Sequence, residues 1–61
     1  MGAVSDEDRA KAAELAAEAR ELHANKDYYA ARELYEQSLR LHEDEDVRVS
    51  YSRLMATIGP M

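Results

Sequence analysis

Residues 27–42 read Asp-Tyr-Tyr-Ala-Ala-Arg-Glu-Leu-Tyr-Glu-Gln-Ser-Leu-Arg-Leu-His, and they constrain the fold more than any other stretch of the chain. Tyr28, Ala31, Leu34, Tyr35, Ser38, Leu41 and His42 recur at spacings of three and four, with Leu39 widening the stripe, as on one face of an amphipathic helix. Within that face Ala31 precedes Tyr35 by one turn. A small residue one turn before a large one lets a second helix approach closely and then fixes its position, so the stretch calls for an antiparallel helical partner. Arg32, Glu36 and Arg40 are expected to form an i, i+4 ladder on the opposite, solvent side.

The remainder supplies that partner and one helix more. Ser5 can cap a helix whose first turn holds Asp6, Glu7 and Asp8, acids that suit the positive end of the dipole. Ala12, Leu15, Ala19 and Leu22 then form an inner stripe, flanked by Ala16 and His23, with Glu14, Glu18 and Glu21 on the other side. Asn25-Lys26-Asp27 breaks the pattern: Asn25 tolerates the left-handed conformation that ends helices, and Asp27 can cap the next one. So short a connection forces the two helices antiparallel. Glu43-Asp44-Glu45-Asp46 is the second break, with Asp44 or Asp46 as N-cap. Its spacing is not that of a calcium loop, which also needs a central Gly. Val47, Tyr51, Leu54, Met55 and Ile58 continue as a third helical stripe, closed by Gly59-Pro60. The expectation is an all-α chain, one small domain over residues 1–61, with helices at about 6–24, 28–42 and 46–58.

Composition narrows the function. With no Cys, disulfides and thiolate metal sites are excluded. A net charge of −5 argues against nucleic acid, which is bound through clustered Lys and Arg. No apolar run is long enough to span a bilayer and no basic-then-apolar signal opens the chain, so a cytoplasmic protein without membrane insertion is expected. The only imidazoles, His23 and His42, end different helices of an antiparallel pair and should lie at opposite poles, where a helix C-terminus favours their charged form. The carboxylates fall on exposed faces and in caps, whereas acid–base catalysis needs two in different environments inside a cleft. No enzyme, no metal site and no cofactor are expected.

The pattern resembles the tetratricopeptide repeat (TPR). Setting the family's small-x-x-x-aromatic pair on Ala31 and Tyr35 makes one repeat cover about residues 12–45, with Leu15, Ala19 and Leu22 on its large, small and aromatic positions. Residues 49–59 are similar to the first helix of a following repeat, so the third helix would cap the hairpin. Glu18 departs from the pattern where a large aliphatic residue is usual, and Glu43 replaces a proline. Leu15, Ala19, Tyr28, Ala31, Leu34, Tyr35 and Leu39 also match the microtubule-interacting-and-trafficking (MIT) domain, a three-helix bundle that grips a partner helix, although helix three here is shorter and lacks that family's acids. What the TPR resemblance implies is a non-catalytic module binding a protein or peptide in the groove between helices one and three, through Ala16, Arg20, His23, Arg53 and Thr57. Tyr29 and Tyr51 join these as aromatic contacts that can bury a ring and keep a wet hydroxyl. The alternative is structural: a docking or self-assembly segment, an excised or engineered repeat unit, or an MIT-like domain. Thirteen acids against six bases in residues 1–46 suggest a basic partner for that part, while Arg48 and Arg53 stand without acids in residues 47–61.

Overall fold

A computed structural model describes residues 6–59, so Ser5 as a cap, Pro60 as a stop and Met61 as an apolar edge lie outside the described residues. Three helices follow one another: α1 (Asp6–Ala24), α2 (Tyr28–Leu41) and α3 (Glu45–Ile58). The fold is all-α, a helical hairpin with a third helix against it. The Ser38 hydroxyl of α2 donates to the Ala12 carbonyl of α1 at 2.7 Å, and His23 at the end of α1 meets Tyr28 at the start of α2. One helix therefore rises as the other falls. Tyr51 of α3 in turn meets Tyr35 and Glu36 of α2, while Val47 shares a small cavity with Ser38 and His42, so α3 also runs antiparallel to α2. It leans mainly on α2 and barely touches α1.

The turn between α1 and α2 spans residues 25–27 as the sequence suggests, but a different residue bends it. Lys26, not Asn25, takes the left-handed backbone, at φ 69°. Its amide donates to the His23 carbonyl at 3.0 Å, and the Asp27 amide to the Leu22 carbonyl at 2.8 Å. That pair of bonds is the Schellman closure, which places the left-handed residue one position beyond the helix cap. Asp27 then starts α2 immediately: its carbonyl accepts from the Ala31 amide, but its side chain makes no cap bond. Its backbone (φ −89°, ψ 71°) is held by the Schellman bond outside the extended conformation that aims a carboxylate at first-turn amides. At α3 the expectation holds for Asp44, whose extended backbone lets its carboxylate accept from the Asp46 amide at 2.8 Å.

Small residues dominate the interior. Ala12, Ala16, Ala19, Ala31, Tyr35, Ser38, Val47 and Leu54 are buried, whereas Leu15 and Leu22 are only half-buried. The buried line of α1 is thus 12, 16 and 19, and Ala16, expected on a flank, lies at its centre. Three alanines in register let the α2 backbone and the α3 side chains come close, while the leucines seal the edges of the seam. Glu18, at the position where the repeat pattern wants an aliphatic residue, is exposed.

Candidate interaction surface

The seam between α2 and α3 carries the strongest side-chain geometry. Tyr51 is half-buried, with its ring edge-on to Tyr35 at 6.4 Å and its hydroxyl donating to the Glu36 carboxylate at 2.8 Å. That hydrogen bond, then burial, then the negative charge of Glu36 raise the Tyr51 pKa above its ordinary value, against an opposing pull from Arg32. The face bearing Arg32 and Glu36, expected to point at solvent, is half-buried beneath α3. Glu36 thus serves as a tether between helices. The reason is rotational: α3 docks beside Tyr35, and the next residue along α2 comes under it.

Arg32 extends the same surface outward. Its guanidinium carbon lies 5.6 Å from the centre of the Tyr29 ring, a cation–π arrangement, and its Nε is buried without a hydrogen bond. Tyr29 itself is 67% exposed. An exposed ring over an arginine, at the start of a helix, is a surface of the kind enriched at protein interfaces.

The other anticipated contacts are scattered. Arg20 is exposed on α1, one turn beyond the buried Ala16. His23 sits half-buried, edge-on to Tyr28 at 5.7 Å and to Tyr35 at 6.3 Å, so it belongs to an aromatic cluster rather than to free surface. Tyr35 links His23 to Tyr51 through ring contacts. On α3, Tyr51 turns toward α2, and Ser50 and Thr57 fall on the opposite flank of the helix. Thr57 is exposed and its hydroxyl donates back to the Arg53 carbonyl at 3.0 Å. Arg53 is exposed between that flank and the outer face of α3. Ala16 is a correction. It is 3% exposed inside the three-helix seam, so a partner cannot reach it without opening the bundle. The position reads as groove only if α3 stands away from α1's inner line, and Val47 and Leu54 share one core with Ala16 instead.

Sequence reasoning missed Arg32, Glu36 and Val49 as surface determinants. The i, i+3 spacing of Tyr29 and Arg32 was the available signal for the first. For Glu36 there was none, because its role depends on where α3 docks. Val49, an aliphatic outside the α3 stripe and 47% exposed, was visible as a misfit in the pattern.

His42 lies at the end of the hairpin away from His23, beside Arg9, Asp44 and Val47 around a cavity of about 40 Å³. Among the described residues no three His, Cys, Asp or Glu side chains gather as metal ligands would. No helix among them is long and apolar enough to cross a membrane. Compared with protein-family models, curated proteins and solved structures, the chain has no significant match in any of the three.

Proposed function

We propose that this chain is a non-catalytic binding module of the TPR-like type, which takes a protein or peptide along the side of α1 and α3. The observation that carries the reading is the placement of α3. It lies antiparallel on α2, as α1 does, yet barely meets α1. A groove of this kind would run outside the line where Val47 and Leu54 close over Ala16, between the exposed flanks of α1 and α3. Arg20 and Thr57 are exposed on the helices that would line it, with Arg53 at its outer rim. Tyr29 and Arg32 offer an aromatic–cation patch on the other side of the hairpin. Glu14, Glu18 and Glu21, all exposed on α1, favour a basic partner for that helix. His23 and Tyr51, both half-buried against Tyr35, stiffen the bundle rather than supplying contacts. A cytoplasmic setting fits this role.

Affinity capture from a cell extract, followed by direct titration of the captured protein, tests the reading. Arg20→Ala combined with Thr57→Arg removes one contact and crowds the other without adding an acid to α1, and should weaken binding at least tenfold while circular dichroism stays that of the parent. Raised salt should weaken it as well, because exposed charges are screened over about 8 Å at physiological ionic strength. Unchanged affinity in the double variant would remove the groove from consideration.

A further inference from the structure

We propose that the outer face of α3 is a self-complementary docking surface for a second copy of this chain, packed antiparallel about a two-fold axis near Val49. Glu45, Val49 and Arg53 stand at i, i+4 and i+8 on that face, all exposed. The order along the helix is acid, aliphatic, base. An antiparallel copy centred on Val49 brings Glu45 opposite the partner's Arg53 twice, with the two valines between. A parallel copy would set Glu45 against Glu45 and Arg53 against Arg53, and like charges in register repel, whereas Arg48 meets its twin near the axis in either direction and does not discriminate. The charge order therefore selects both the partner and its direction.

The shape of the surface agrees. Glu45, Arg48, Val49 and Ser52 border one open depression, together with Glu43 and Arg53. Residues i, i+3, i+4 and i+7 are the four that form the hole for a knob from a facing helix. The hole is centred within a residue of Val49, so the Val49 side chain of an antiparallel copy is the knob that reaches it. Among the described residues Val49 is one of two exposed large apolar side chains, and unlike Tyr29 it does not pack against an arginine. Its face points away from the core side of Val47 and Leu54.

From Glu45 to Arg53 the contact is only about 12 Å long at 1.5 Å per residue. It falls well below the roughly 800 Å² per partner of a standard interface, so a dissociation constant on the order of 100 µM is expected. This inference concerns the outer face of α3 and stands whether or not the groove reading holds. A groove variant, Arg20→Ala, should leave it unchanged.

Sedimentation equilibrium from about 10 µM to about 1 mM tests the proposal. The parent chain should pass from monomer to dimer and no further. Val49→Glu, Arg53→Glu and Glu45→Arg should each raise the dissociation constant at least tenfold, with circular dichroism reporting that the helices persist. The double variant Glu45→Arg with Arg53→Glu restores opposite charges across the axis and should return to within about threefold of the parent. A chain that stays monomeric throughout overturns the proposal. So does a dimer indifferent to Val49→Glu, or a charge swap that fails to restore association.

Discussion

Leu54→Ala should remove a large part of the stability of this protein. Leu54 is fully buried, and with Tyr35 and Ser38 it is among the largest side chains completely enclosed. It is also the apolar anchor of α3, a helix that otherwise holds on through half-buried residues and Val47. The substitution deletes three carbons, which at about 0.8 kcal/mol each is about 2.4 kcal/mol of lost transfer free energy. A residual cavity adds to this, and buried Leu→Ala changes span about 2–5 kcal/mol. Because α3 meets few elements and can settle inward, about 2.5–3.5 kcal/mol is expected. A chain of this length has about 3–9 kcal/mol in total. The variant should therefore melt about 10–28 °C lower, at roughly 4–8 °C per kcal/mol for so small a protein. Thermal and urea denaturation followed by circular dichroism measure the loss, with Val49→Ala on the same helix as a control expected to stay within about 0.5 kcal/mol. A Leu54→Ala loss below about 1 kcal/mol, or an equal loss in the control, would mean that α3 is not docked by this face.

Three further outcomes are expected. Ala31→Leu forces three extra carbons into a position with no exposure and should cost about 1–3 kcal/mol in urea denaturation. Lys26→Gly relieves a left-handed backbone at the Schellman turn and should stabilise by up to about 1 kcal/mol in the same assay; a loss would place the turn elsewhere. Tyr51→Phe should cost about 0.5–1 kcal/mol at neutral pH, where the phenol donates to Glu36. Because the folded pKa of Tyr51 is raised, that contribution is whole below the ordinary tyrosine pKa and disappears as pH climbs through the raised one. The gap between parent and variant in alkaline denaturation series should shrink accordingly, and a gap constant with pH would count against the bond.

The candidate surface was only partly legible in the sequence. Tyr29 could be set outside the inner stripe because a helix period fixes which side a residue takes. Ala16 and Arg20 could be assigned to a groove only through a resemblance, and Ala16 went to the core. Its fate depended on how far α3 rolled over α1, a quantity that no spacing within α1 encodes.

What the sequence determined by itself is local. Periodicity in α1, α2 and α3, the break at residues 25–27 and the Asp44 cap act through neighbours four residues away or less, so the helices and their ends follow from composition along the chain. The closeness of the α1–α2 hairpin follows too, from Ala19 and Ala31, since small residues leave no other face to bury. The left-handed turn at Lys26 and the missing cap bond at Asp27 are local as well, because the Schellman bonds run from these residues back to His23 and Leu22. Tertiary structure decided the rest. It drew Ala16 into the core and turned Glu36 from a solvent-facing acid into the acceptor for Tyr51. Both depend on the rotation of one helix about its axis relative to the next, and that rotation is set by the summed packing of side chains distant in sequence.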